Sequence, residues 1–93
     1  MKINLEKIIL KNLREEIVGE VNGREAIANN LYTQGGKDNL MCMDLAKKMY
    51  NGDEDLEYTR NELAIIRETV YKNFVPMMID AVIPIINKAE SNG

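Results

Sequence analysis

Residues 75–86 read Val-Pro-Met-Met-Ile-Asp-Ala-Val-Ile-Pro-Ile-Ile, and this is the most apolar stretch of the chain. Between Met77 and Ile86 only Asp80 carries a charge, and only Pro84 interrupts the helical propensity. A segment that is apolar on all sides is normally buried on all sides, inside a core or between subunits. It is also only about half of the roughly 20 residues that a membrane-spanning helix needs. We therefore expect a core or assembly element and no membrane partner.

The length and composition predict one small domain that spans residues 1–93. A chain of this size buries about 60–65% of its unfolded surface, so its core is thin. The single cysteine, Cys42, excludes an internal disulfide, and without histidine the chain lacks the ligands of a zinc site. We expect no cofactor, and stability that depends on helix packing or on self-association. A lone cysteine is typical of a reducing compartment, where it behaves as a small buried hydrophobe.

The formal net charge of −3 argues against a nucleic-acid partner, because such binding needs a dense basic face. Lysine and arginine are scattered in ones and twos among acidic residues. Residues 1–2 are followed by regularly spaced charges, which is unlike a signal peptide. The expected location is the cytoplasm.

The first segment, residues 3–21, has two interpretations. Five apolar residues follow helical spacing, and Asn4 is a suitable cap for such a helix. The five residues are Leu5, Ile8, Ile9, Leu13 and Ile17. Alternation of apolar and polar residues, with the β-branched pairs at 8–9 and 17–18, instead favours two strands joined by a turn at residues 11–15. The residues alone leave a helix and a hairpin open.

The rest of the chain predicts a mainly α fold of three helices, over residues 24–33, 40–50 and 59–74, followed by an apolar element over 76–88. Asn22-Gly23 marks the entry to the first helix, and Gly35-Gly36 closes it. Asp38 or Asn39 caps the second, in which an Asp44–Lys48 pair is expected on the solvent side. Thr59 and Glu62 have the spacing of a capping box for the third.

The last element contains two prolines, Pro76 at its start and Pro84 in its interior. Pro76 disfavours helical geometry at Val75 and is suited to the first turn of a new helix. Pro84 is expected to kink or divide this element, and residues 88–93 are expected to fray.

The acidic loop between the second and third helices resembles a degenerate calcium-binding EF-hand loop. With Asn51 as position one, the ligand positions three, five, seven, nine and twelve are Asp53, Asp55, Glu57, Thr59 and Glu62. Position one is asparagine rather than aspartate, and position six is Leu56 where the turn requires glycine. We interpret the segment as a solvated loop that caps the next helix, with no metal bound. Calcium held by Asp53, Asp55, Glu57 and Glu62 is the alternative.

Two single residues have reactive side chains without a catalytic constellation around them. Asp80 lies among apolar neighbours, where desolvation raises a carboxyl pKa, but more often such a residue points outward or pairs with a base. Cys42 lacks a histidine base and is expected to be a buried thiol. We therefore expect no enzyme activity.

Short segments along most of the chain are similar to those of small phage and prophage proteins of gut bacteria. These segments are residues 2–5, 9–13, 16–17, 28–32, 45–52, 59–63, 74–76 and 81. The resemblance implies phage or mobile-element biology and no particular activity. In that group the first segment often forms a short hairpin with a glycine-containing turn, where this sequence has Arg14-Glu15. Helix and hairpin thus stay open for residues 3–21.

The functional hypothesis is a non-enzymatic interaction or assembly module that forms a homodimer or meets a protein partner. Its predicted contact residues lie in the apolar run; they are Met77, Met78, Val82, Ile83, Ile85 and Ile86. Met-rich surfaces adapt to varied partners, which supports this interpretation. The alternatives are a calcium-binding helix-loop-helix module and an acidic regulator that occupies a basic host protein.

Overall fold

The computed structural model describes residues 1–35, 38–52 and 56–92, which form an N-terminal hairpin followed by four helices. The elements are β1 (Ile8–Lys11), β2 (Ile17–Val21), α1 (Gly23–Gln34), α2 (Asn39–Asn51), α3 (Arg60–Asn73) and α4 (Pro76–Asn92). The predicted mainly α fold is confirmed. Of the two structures that the sequence left open for residues 3–21, a helix and a hairpin, the chain adopts the hairpin.

Buried and exposed residues alternate in the segment that leads into the hairpin. Ile3 and Leu5 are buried while Lys2 and Asn4 are exposed, and Ile8 at the start of β1 is buried. A single helix would have placed Leu13 on the same buried face, yet Leu13 is fully exposed at the turn. β1 and β2 pair antiparallel, with Ile8 opposite Val21 and Leu10 opposite Gly19, and a bulge follows Leu10.

The turn at residues 12–16 is organised by one asparagine. The Asn12 Oδ1 atom accepts hydrogen bonds from the backbone N–H groups of Arg14 (2.9 Å) and Glu16 (3.0 Å). Glu15 has a φ of 63°, the left-handed region that such a turn requires. The Asn12 side chain therefore supplies the turn geometry that glycine often provides.

The helix starts follow the predicted caps. Asn22 accepts from the N–H of Glu25, and Asp38 accepts from the N–H of Met41. Thr59 and Glu62 form the reciprocal capping box at the start of α3. These local hydrogen bonds satisfy N–H groups that have no partner within the helix.

Helix α4 is longer than predicted. It begins at Pro76 as expected, it continues through Pro84, which excludes the division by proline that was one of the two predicted effects, and it extends to Asn92 where fraying was expected. Pro84 and Asp80 are both exposed. The Asp80 carbonyl that the proline leaves without an amide partner can therefore bind water, while buried Val82 and Ile86 hold both sides of the proline in place.

The core lies where β1, α1 and α3 meet α2 and α4. Helix α2 packs mainly on α1, and α4 packs on α3 and on β1. Tyr58, just before α3, is buried, and its backbone N–H donates to the Met1 carbonyl (2.8 Å). The fully buried side chains include Leu5, Ile8, Ile27, Leu31, Met49, Leu63, Ile66, Val70, Val82 and Ile86.

One buried charge joins three segments of the fold. Arg24, in the first turn of α1, is 7% exposed, and its Nη1 atom donates to the carbonyls of Met49 (2.5 Å) and Tyr50 (3.4 Å) at the end of α2. Its Nη2 atom lies 3.5 Å from Glu6 Oε1, and its backbone N–H donates to the Leu5 carbonyl (3.0 Å). A guanidinium suits this place because the C-terminal carbonyls of a helix carry partial negative charge.

Arg24→Met should destabilise the protein by about 1.5–3 kcal/mol, because hydrogen bonds to a charged group are lost while the side-chain volume is nearly retained. Urea unfolding at neutral pH measures the change. Arg60→Met is the matched control, since Arg60 is exposed on α3 and its replacement should cost less than about 0.5 kcal/mol. Equal stability of the two variants would contradict the role assigned to Arg24.

Candidate interaction surface

Most of the predicted contact residues in the apolar run of α4 are buried within the folded chain. Of the six predicted contact residues, Met78, Val82, Ile83 and Ile86 are buried in the core of the folded chain. They are covered because α4 packs on both α3 and β1. In the folded chain these four side chains therefore do not form a surface.

The other two predicted contact residues, Met77 and Ile85, are half-buried and line a cleft between α4 and the hairpin. The cleft has a volume of about 500 Å³, and Ile9 of β1 contributes to its opposite wall. Its rim is polar and of mixed sign; it includes Lys7, Lys11, Glu15 and Asp80. Asp80 thus points outward, as its more common interpretation predicted.

The hairpin carries three of the large apolar side chains that the structure leaves exposed. Leu13 is 103% exposed, Ile17 68% and Val18 54%. We call these three side chains the hairpin surface. Three large apolar side chains exposed on one short hairpin are a stronger sign of binding than apolar residues scattered singly.

The strand that carries this surface has little cover. The burial of β2 is partial or absent along its whole length, and its extensive contacts are with β1. Within the described ranges, no backbone hydrogen bond outside the hairpin involves residues 17–21. The edge of β2 that faces away from β1 is therefore open to another strand.

Sequence reasoning missed the hairpin surface because it assigned Leu13 and Ile17 to the buried side of a helix or left them in an undecided segment. The available signal was the β-branched pair Ile17-Val18 next to Glu16 and Glu20. Such a short apolar pair between charges is typical of a strand exposed at an edge.

The acidic loop is described only in part. Asp53 and Asp55 lie outside the described residues, while Glu57 and Glu62 lie within them. Glu62 Oε1 accepts a hydrogen bond from Lys48 Nζ (2.8 Å) and another from the Thr59 N–H (2.8 Å). Across residues 1–35, 38–52 and 56–92, no three acidic or cysteine side chains are grouped to hold a metal ion.

Lys48 departs from its predicted pairing with Asp44. It reaches across to α3, where it binds Glu62, and its Nζ atom lies 5.3 Å from the centre of the Tyr58 ring. Partial burial raises the pKa of Glu62, but the hydrogen bonds from Lys48 and Thr59 outweigh it, so the net pKa lies below 4.5. Glu62 is therefore a structural carboxylate that links α2 to α3.

Cys42 is buried on α2, as expected. Burial raises the pKa of its thiol above 9.0, and the nearby carboxylates of Asp38 and Glu68 raise it further. A thiol with a raised pKa is a poor nucleophile, since the thiolate is the reactive form.

No protein-family model, curated protein or solved structure matches this chain. In the part of the chain that the structure describes, no helix is long and apolar enough to cross a membrane.

Ile86→Ala should cost about 2–5 kcal/mol, because it leaves a cavity in the core. Ile85→Ala is the matched control: it is the same substitution at the next position, where the side chain is only half-buried, and it should cost clearly less. Urea unfolding of both variants measures the difference. A larger loss at Ile85 than at Ile86 would show that α4 is rotated from the orientation described.

The link between Glu62 and Lys48 should make stability depend on pH. Because the pKa of Glu62 is lowered by folding, its contribution is present above about pH 4.5 and is lost as the pH falls through the folded-state pKa. Glu62→Gln keeps the capping geometry but removes the charge, and it should cost about 1 kcal/mol at pH 7.

This difference from the wild type should shrink towards zero as the pH falls through the lowered pKa of Glu62, as thermal unfolding over a pH series will measure. Glu68→Gln is the control, because Glu68 pairs with Lys72 on the exposed face of α3, and such pairs contribute little. A Glu62→Gln difference that does not change with pH would contradict the ionic link.

Proposed function

We propose that the protein is a non-enzymatic interaction module that associates with itself through the hairpin surface. The observation that carries this proposal is the exposure of Leu13, Ile17 and Val18 together on an element with an open strand edge. The proposal keeps the self-association predicted from the sequence and moves its location from α4 to the hairpin, since most of the α4 run is needed in the core.

The energetics of the hairpin support this location. A two-stranded sheet is marginal in water and gains stability from a third strand or from packing on a helix. β1 has such packing on α4 and within the core, through Ile8. The extensive contacts of β2 are with β1, and of its residues Val21 packs against the core, so β2 has more to gain from an added partner than β1.

The polar side chains of the described residues support a binding role rather than a catalytic one. The two residues with reactive side chains are separated, with Cys42 in the core and Asp80 on the outside of α4. Glu62, the most constrained carboxylate, already accepts two hydrogen bonds. The resemblance to phage proteins adds the proposal that the module acts in phage or mobile-element biology, in the cytoplasm.

The double variant Ile17→Lys with Val18→Lys should remain monomeric, because lysine on an edge strand blocks pairing and opposes burial. The wild-type mass should instead rise above the monomer value of 10.6 kDa as concentration increases over about a hundredfold range. Light scattering measures both. The interface is small, so we expect a reversible monomer–dimer equilibrium rather than a permanent dimer.

Leu40→Lys with Tyr71→Lys is the control for this double variant. These residues are also exposed, at 64% and 54%, and the change in net charge is the same. The control should dimerise like the wild type. A wild type that stays monomeric at every concentration would overturn the proposed self-association, and equal dimerisation of all three proteins would overturn its location.

A further inference from the structure

A groove between α1 and α2 is bordered by two exposed tyrosines. Its volume is about 260 Å³, and it is lined by Tyr32 of α1 and Tyr50 of α2, with Ala28 and Ala46 between them. The tyrosines are 64% and 57% exposed, whereas both alanines are buried and form the floor. We call this feature the tyrosine groove. It contains no residue of the hairpin surface, so it is a separate part of the molecule.

The two tyrosines converge because of the way in which α1 and α2 pack. Arg24 at the start of α1 binds carbonyls at the end of α2, so the two helices run antiparallel. Each tyrosine follows the alanine of its own helix by one turn. Helical side chains lean towards the N-terminus of their helix. Tyr32 and Tyr50 therefore lean over the alanine floor from opposite ends of the groove.

The polar groups beside the tyrosines are available to a ligand. Asn29, Lys47 and Asn51 also line the groove, and all three are exposed. Within the described ranges, Lys47 forms no ion pair, and the side-chain amides of Asn29 and Asn51 form no hydrogen bond. Two amide donors and one cation thus surround a small aromatic slot.

The shape of the groove selects among the ways in which proteins bind a peptide segment. Addition of a strand requires a sheet edge, but this groove is walled by helices whose backbone groups bond within each helix. A bound helix needs a groove long enough for anchors on several turns. At about 260 Å³ the tyrosine groove lies below the roughly 300–1,000 Å³ of pockets for whole ligands, so it suits one ring of a longer segment.

A polyproline II segment fits these conditions. Such segments dock in short aromatic-lined grooves, where proline rings pack against the aromatic side chains. Their backbone carbonyls have no internal hydrogen bonds, so they can accept from the amides of Asn29 and Asn51. The conformation is also preformed, which lowers the entropy lost on binding to a shallow groove.

Lys47 adds a charge preference. Among the described residues that line the groove it is the only charged one. A carboxylate next to the bound proline would pair with this cation, whereas a lysine at the same place would be repelled. Because Lys47 is exposed, the pair contributes selectivity and salt dependence more than affinity.

We propose that the tyrosine groove binds a proline-rich, acidic segment of a partner protein in the polyproline II conformation. A proline ring lies between Tyr32 and Tyr50, and a carboxylate of the segment lies near Lys47. This inference goes beyond the proposed function, because it assigns a second partner to a surface that self-association does not use.

A peptide titration tests the proposal. The probe is a capped peptide of three Pro-Pro-Glu repeats, added to the ¹⁵N-labelled wild-type protein while its amide resonances are followed. Amides that border the tyrosine groove should shift, and those of β2 should not. A Pro-Pro-Lys peptide of the same length should bind at least fivefold more weakly. A Gly-Ser-Glu peptide should bind at least tenfold more weakly, because it has the charge without the preformed conformation.

Two tyrosine variants test the location. Tyr32→Ala and Tyr50→Ala should each weaken binding of the Pro-Pro-Glu peptide about tenfold, as truncation of an aromatic anchor does. Tyr71→Ala is the matched control, because Tyr71 is 54% exposed on α3, outside the groove, and its binding should equal that of the wild type. The amide spectra of the free variants report whether each one is folded.

Lys47→Met tests the charge preference at a position where little packing is lost. The variant should bind the Pro-Pro-Glu and Pro-Pro-Lys peptides equally and with little dependence on salt, yet it should still prefer both to Gly-Ser-Glu. Unchanged selectivity between the two proline peptides would overturn the role of Lys47.

The remaining outcomes would each overturn the proposal. Without shifts at the groove up to millimolar peptide, there is no such site, and equal binding of Gly-Ser-Glu would show attraction by charge alone. Phenylacetate that binds the groove as tightly as the peptide would identify a site for small aromatic acids. Groove resonances that move with protein concentration alone would place a second copy there. The resonances of β2 report self-association at the hairpin separately.

Discussion

The fold depends on a single guanidinium more than on any other polar group. Arg24 lies at the start of α1, and it binds the carbonyls that end α2 and the carboxylate of Glu6 before β1. The three segments are far apart in sequence, yet their relative positions are fixed at one point. Its Nε atom is buried without a hydrogen-bond partner among the described residues, so the contact is made entirely by the two terminal nitrogens. This constraint sets where the hairpin leaves the helical core.

The position at which the hairpin leaves the helical core determines which of its apolar residues are left uncovered. With the N-terminal segment held against α1, β1 turns Ile8 into the core and packs beside α4. α4 then buries Met78, Val82, Ile83 and Ile86 against β1 and α3. A chain this small has little apolar surface to spare. Three of the large apolar side chains that stay exposed lie on β2 and its turn.

The sequence was sufficient for the features that local chemistry decides. Asn22, Asp38 and the Thr59–Glu62 pair identify helix starts because each cap is complete within four residues. The choice between helix and hairpin at residues 3–21 was not local, since it depended on whether Leu13 had a core to enter. The elements that α4 packs against could not be predicted either, because an apolar run does not reveal whether it will be covered by its own chain or by another.

The same reasoning explains why we propose association at the hairpin rather than at the cleft beside α4. Met77 and Ile85 are already half-buried, and the rim of that cleft mixes lysine with carboxylate, so covering it gains little apolar burial and costs desolvation of charges. At β2 an added strand would cover Ile17 and Val18, which are 68% and 54% exposed, and would also satisfy backbone groups that have no other protein partner among the described residues. Both gains occur in the element with the least support from the rest of the chain. These two gains are the reason that we propose the edge of β2 as the site of association.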